Sequence, residues 1–346
     1  MEKFNLDDIV DFYIKTINVP ENTKVNIGLT PLDINQNSFD NKMVNDTTTV
    51  KKYQGKELAK YPFIPRDIIK ELKINEKDVF YIKGWIDANN DEEISVDYNE
   101  EVVAKIVKCY CYRDFTVDEV KKIVKDLRDS EETTKGNYDL FTAENCKLPQ
   151  NERTYERFTE ELNKTFRKYE INTCLRKIHF LAQAYVESDK FKTVEEYESI
   201  YTKNYIPFQG RGIKQITHDY NYLEYYDYIN KTNLFNIYQK YNQGRGRKVK
   251  IFIGKDPALN NSFYDILKEF SQKLSNSIEY AFDSAGWYWN KNKINDFADN
   301  DNIEYVSRKV NLPYGKIENI LGLEARKKYT KTLKKVFKYE DCSENN

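Results

Sequence analysis

The chain has 346 residues, with 55 Lys+Arg against 56 Asp+Glu and a formal charge of -1. A chain this long allows about two domains, each able to bury a core, and 40% hydrophobic with 14% aromatic residues excludes a disordered chain. No apolar run approaches the ~20 residues of a membrane span, and the opening residues lack the basic and apolar regions of a Sec signal.

The charge is unevenly shared. Residues 1–110 hold 15 basic and 20 acidic side chains, whereas 111–346 hold 40 and 36. The change of sign predicts a boundary near 110, between an N-terminal accessory domain (1–110) and a larger second domain (111–346). A bias this mild does not make either part a nucleic-acid binder.

The first part reads as a small strand-rich unit. Residues 20–60, rich in Asn, Asp and Thr with little periodicity, predict long loops. Val79 to Ile86 is apolar, aromatic and β-branched, a polar turn follows, and Ile94 to Val96 resumes the apolar pattern, which predicts a hairpin. The turn places Asp87, Asn89 and Asp91 as in a calcium loop. Glu92 and Tyr98 stand where such a loop needs Gly and a bidentate Glu, so a solvated turn is expected.

Five cysteines, Cys109, Cys111, Cys146, Cys174 and Cys342, are an odd number, so at least one is unpaired in a monomer. Cys109-x-Cys111 lacks the two-residue spacer of zinc sites and no His lies close by. Thiols or one or two disulfides are expected, with the pairing left open and no metal.

From 111 onward the pattern becomes helical. Thr116 and Glu119 form a capping box ahead of Val117, Val120, Ile123, Val124 and Leu127 on one face. Tyr155 to Tyr169 predicts a second amphipathic helix, Ile178 to Glu187 a third, and Ile266 to Tyr280 a fourth. Trp287 and Trp289 follow Ser284-Ala-Gly286, where small residues permit close packing, and are expected in the core. His179 reads as a packed helix residue, and Gly244 to Lys248 as a solvated loop tip.

Glu187 closes an apolar helix, where partial burial suits a carboxylic acid to act as a general acid. Glu196 lies nine positions later. On an unbroken helix nine steps make about 900° and put the two on opposite faces. They can share a cleft only if the helix stops after Glu187 and the chain folds back. Two carboxylates across a cleft, ~6.5–9.5 Å apart with a water between them, are the minimum for glycosidic hydrolysis with inversion. The following block, Phe208-Gln-Gly210-Arg211-Gly212-Ile-Lys-Gln215-Ile-Thr217-His218-Asp-Tyr220-Asn221-Tyr222, combines a glycine-flanked turn with hydroxyl and amide groups that can line a wall.

FLAQAYVES, FQGRGIKQITHDYNY and SAGWYWNKNKINDFAD, in this order and spacing, resemble glycoside hydrolase family 19, the chitinase and endolysin-like branch of the lysozyme superfamily. The resemblance covers roughly 150–340. It implies a mainly α, lysozyme-like catalytic domain beside the small strand-containing N-terminal one. The implied activity is hydrolysis of β-1,4 bonds next to N-acetylglucosamine, with inversion and without metal or cofactor. Under the resemblance the acid falls on Glu187, the base on Glu196 and the water-holding hydroxyl on Thr217. Arg211, Gln215, Asn221 and Tyr222, with Asn311 and Arg326 from the C-terminal helices, fall on substrate-binding positions. Three departures stand out: Val186 replaces a His before the acid, Asp189 and Lys190 replace small residues after it, and Leu312-Pro313 replaces Gly-Gly.

The expected substrate is bacterial peptidoglycan, with chitin as the alternative. A hydrolase-fold unit that binds glycan without cleaving it, or serves as a structural component, is the alternative from another class. The N-terminal domain is a candidate docking module for a secretion apparatus or an immunity protein. Without a Sec signal, a wall-degrading protein is expected to be made in the cytoplasm and to act outside it after specialised delivery or lysis.

Overall fold

The computed structural model describes residues 3–6, 9–15, 20–40, 42–53, 56–87, 102–107, 110–199, 206–242, 262–311 and 315–342. The chain divides into two compact units, Met1–Cys109 with Lys338–Asn346, and Tyr110–Phe337. The final segment therefore clusters with the first unit, whereas the sequence pattern grouped it with the helices.

Among the described residues, the first unit is a seven-stranded sheet with one α-helix. Its strands are β1 (Lys3–Asn5), β2 (Val10–Lys15), β3 (Lys24–Leu32), β4 (Val44–Tyr53), β5 (Lys56–Phe63), β6 (Tyr81–Asp87) and β7 (Val102–Val107), in the order β1-β7-β6-β3-β4-β5-β2. Among the described residues, β1 and β7 pair in parallel and the other pairs are antiparallel. Helix α1 (Pro65–Glu71) follows β5 and adds Ile68 and Ile69 to a core that includes Val25, Ile27, Leu29 and Val50.

The loops expected over 20–60 are corrected by β3, β4 and the start of β5. Val25, Ile27 and Leu29 alternate inward along β3, while its partner β4 runs Thr47, Thr48, Thr49 opposite Asn26, Val25 and Lys24. Threonine is stiff at χ1 and fits a half-exposed pleated surface, so a polar composition is compatible with an antiparallel strand. Beyond 87, the expected turn, its calcium-loop resemblance and Ile94 to Val96 lie outside the described residues, as do Cys109 and the Gly244–Lys248 tip.

The second unit is built from α2 (Val117–Asp129), α3 (Tyr155–Lys168), α4 (Cys174–Glu187), α5 (Asp219–Asn230), α6 (Leu234–Asn242), α7 (Ser262–Asn276), α8 (Ile278–Lys291), α9 (Ile294–Asp299), α10 (Ile303–Asn311) and α11 (Leu323–Val336). The capping box at Thr116 and Glu119 is fully formed, a device worth ~1 kcal/mol. The single helix expected over 266–280 is two. Ser277 is extended, and the restart at α8 is capped from outside, by Glu152 Oε2 accepting from Ile278 N at 2.6 Å.

Helix α4 is the central element. Its Phe180, Leu181, Ala182, Ala184 and Tyr185 are all buried. Trp287 and Trp289 are buried on α8, where Gly286 lets Tyr169 approach so closely that a Cβ would lie 2.2 Å from its ring. His179 is fully buried and its Nε2 meets Asp301 at 2.9 Å. Cys111 and Cys174 form a disulfide, Cys342 is also disulfide-bonded, and Cys146 is a buried free thiol. Sulfurs committed to disulfides are not thiolate ligands for a metal. Among the described residues no helix is long and apolar enough to cross a membrane.

Candidate functional site

The site begins where α4 stops. Ser188 caps it by donating its hydroxyl to Ala184 O at 2.6 Å and accepting from Phe191 N at 3.2 Å. Asp189, Lys190 and Phe191 then take left-handed backbone angles, with φ of 45, 66 and 59°. Three non-glycine residues in that region are costly in isolation, so the surroundings must hold them. Lys190 N donates to Tyr185 O, the buried Arg128 donates to Lys190 O at 3.0 Å, and Phe191 packs between Phe158 and Tyr185. The chain thereby reverses after Glu187, without the small residues of the resembling family.

The returning segment meets the glycine-flanked turn. Glu196 N donates to Gly210 O at 2.9 Å, Gly212 N donates to Val194 O at 2.8 Å, and Arg211 and Ile216 exchange both backbone bonds. Glu196 Oε2 accepts from Gly210 N at 2.9 Å. A Cβ at Gly210 would lie 2.8 Å from Gln215 Oε1 and 3.1 Å from Glu196 Oε2. Glycine is what lets those two side chains converge there.

Glu187 is only 11% exposed and is held by two cations. Arg326, from α11, contacts one carboxylate oxygen directly, and Lys214 Nζ lies 4.0 Å from the other. Arg326 is buried, grips Gln183 on the same face of α4 and donates from Nε to Leu321 O at 3.2 Å. Val186, at the position where the resembling family has a supporting His, instead lies beside Gly322, which precedes α11. Support for Glu187 therefore comes from the arginine. Burial holds the Lys214 ammonium below the usual lysine value; Glu187 opposes this and Arg326 adds to it.

The remaining expected residues divide into two groups. Thr217 is half-buried and donates to Gln215 O at 3.0 Å, which leaves its lone pairs to accept. Asn221 is half-buried and donates to Thr217 O at 2.8 Å. Gln215 donates to Gly212 O, and its Oε1 is buried without a donor. The others are engaged by groups of the protein itself. Arg211 is buried against Glu195, Pro207 O and Ser271, and Tyr222 is fully buried with its hydroxyl on Gln209 O at 2.6 Å. Asn311 accepts from Leu321 N at 3.0 Å, and Arg326 is a clamp on Glu187. Of the adjacent glutamates, Glu195 is tied to Gln209 and Arg211, while Glu196 is the one at Gly210.

A narrow pocket of ≈ 250 Å³, counted out to its open mouth, lies between α4, α8 and the turn. Its walls include Phe180, Glu187, Ile213, Lys214, Tyr288 and Trp289, but not Glu196. Lys214 was absent from the expected site residues. Its place beside Ile213, next to the glycine-flanked turn, was the signal available for it. No protein-family model and no curated protein matches the chain.

Proposed function

We propose that the Tyr110–Phe337 unit is an inverting glycoside hydrolase of lysozyme-like, family-19-like type, acting on β-1,4 linkages in N-acetylglucosamine-containing polymers. The observation that carries this reading is that one turn, 210–217, touches both carboxylates: Lys214 faces Glu187 and Gly210 binds Glu196. The helix stop at Asp189 to Phe191 that the two-carboxylate scheme requires is present.

In this scheme Glu187, protonated in the Michaelis complex, donates to the leaving glycosidic oxygen. Glu196, ionised, takes a proton from a water accepted by Thr217, and that water attacks the anomeric carbon from the opposite face. Asn221 and Gln215 hold the acetamido sugar. Arg326 orients Glu187 and is a positioning residue. The preferred substrate is peptidoglycan, which lies outside the cytoplasm, and chitin is the alternative. The first unit is proposed as the docking part for a delivery apparatus or an immunity partner.

Glu187→Gln should lower release of reducing ends from purified sacculi and from chitin oligomers by a factor of about 100 or more, while circular dichroism shows the helical fold retained. Near-wild-type release by that variant would overturn the assignment. A second reading, glycan binding without cleavage, is favoured by the direct Arg326–Glu187 ion pair. Saturable sacculus binding by a wild-type protein that releases no sugar would establish it.

A further inference from the structure

Two lysines of the helical unit, the buried Lys177 and the partly buried Lys214, are used in opposite ways. Lys177 Nζ donates to the Tyr110 and Arg113 carbonyls, both at 2.6 Å, which is how a structural lysine is satisfied. Lys214, with its side chain 14% exposed, is placed differently. Its Nζ lies 4.3 Å from the centre of the Tyr288 ring and 4.0 Å from Glu187 Oε2. Among the described residues no hydrogen-bond acceptor reaches it.

The charge is also unbalanced. Glu187 is already neutralised by direct contact with Arg326, so Lys214 is the surplus cation of the group. A desolvated ammonium with unused donors is costly unless something pairs with it. An incoming carboxylate would supply short charge-assisted hydrogen bonds in place of the long contacts now present. The walls around it, Phe180, Ile213, Tyr288 and Trp289, are apolar and narrow. They suit the short hydrocarbon arm of a small acid better than a second sugar ring.

We infer that Lys214 recognises a carboxylate carried on a short arm by an amino-sugar strand, and so makes the site selective for acidic over neutral glycans. This rests on the hydrolase reading above and names the feature of the substrate that the site selects. Chitin is neutral and offers no such group. A wall strand offers one in the lactyl ether of its muramic acid when peptide-free, and others in its stem peptides when they are present. The shared chemistry is the carboxylate, and the narrow walls favour the lactyl acid.

The test compares kcat/KM on peptide-free wall strands, on the same strands methyl-esterified, and on strands retaining stem peptides. Wild-type protein should prefer the free acid over the ester by about tenfold or more, the value of a hydrogen bond between charged groups. Lys214→Met should abolish that ratio and Lys214→Arg should retain it. Peptide-bearing strands, whose lactyl carboxyl is an amide, should behave like the ester; if they match the free acid, a stem-peptide carboxylate serves equally well and the preference for the lactyl source is refuted. An acid-to-ester ratio near one in wild type, or a ratio unchanged in Lys214→Met, overturns the inference. Titration of N-acetylmuramic acid and N-acetylglucosamine, followed by NMR, separates this from failure of the hydrolase reading. Tighter binding of the acid by about tenfold, lost in Lys214→Met, upholds the role of Lys214 even for a protein that cleaves nothing, and equal binding of the two sugars refutes it even for an active enzyme.

Discussion

The Cys111–Cys174 disulfide ties the start of the helical unit to the first residue of α4, the helix that carries Glu187, across a sequence separation of 63 residues. Both cysteines are buried. Closing a loop of that length removes conformational freedom from the unfolded chain, and the chain-entropy relation gives about 4 kcal/mol at 25 °C. Replacing both residues by alanine also leaves small buried voids, which add about 1 kcal/mol. For a unit of this size each kcal/mol moves the midpoint by roughly 2–4 °C, so the double variant should melt roughly 8–20 °C below wild type. The comparison is made by circular dichroism under non-reducing conditions, with the remaining disulfide intact. A decrease smaller than about 3 °C, about one kcal/mol on that scale, would show that α4 is not held in place by this cross-link.

Three further outcomes follow from the site and its supports. Arg326→Met leaves Glu187 and Gln183 without their buried guanidinium, and should cost about 3–5 kcal/mol in urea unfolding; a loss below about 1 kcal/mol would contradict the clamp. Gly210→Ala drives a Cβ toward Gln215 and Glu196 and should reduce kcat about 100-fold through misplacement of the base, while wild-type kcat would separate that turn from the chemistry. Although burial pushes the Asp301 carboxyl up, hydrogen bonds from His179 and Lys334 bring it below its ordinary value of 3.8. A depressed carboxyl contributes stability that is present above pH 3.8 and lost as pH falls through the lower folded value. Asp301→Asn should therefore flatten the stability profile in that acid window, and an unchanged profile would remove Asp301 from the account.

Local signals in the sequence were legible where neighbours along the chain determine the outcome. Thr116 with Glu119 marked a helix start, Ser284-Ala-Gly286 marked a close contact, and Glu187 followed by Ser188 and Asp189 marked a stop. What was not legible depends on partners far away in sequence. The break at Ser277 rests on Glu152, the grip on Glu187 comes from Arg326, and the burial of Tyr222 depends on Gln209 and on the packing around Phe208. The strands over 20–60 were hidden by composition. An antiparallel sheet with one polar face needs only every second residue to be apolar, and Val25, Ile27 and Leu29 meet that condition within an Asn- and Thr-rich stretch. Arg211 illustrates the same limit at the site, because an arginine between two glycines suits a ligand contact and a buried strut equally well, and only its bonds to Glu195, Pro207 and Ser271 distinguish them.

The central claim is that Glu187 and Glu196 act across a bound water, so that each cleavage inverts the anomeric centre. Proton NMR of a digest, recorded from the first minutes, reads the configuration of the new reducing end before it mutarotates. Peptide-free wall strands or chitin oligomers cleaved at β-1,4 bonds should yield the α-anomer first, and both Glu187→Gln and Glu196→Gln should abolish its appearance. First appearance of the β-anomer, or no new reducing ends from either polymer, would contradict the account.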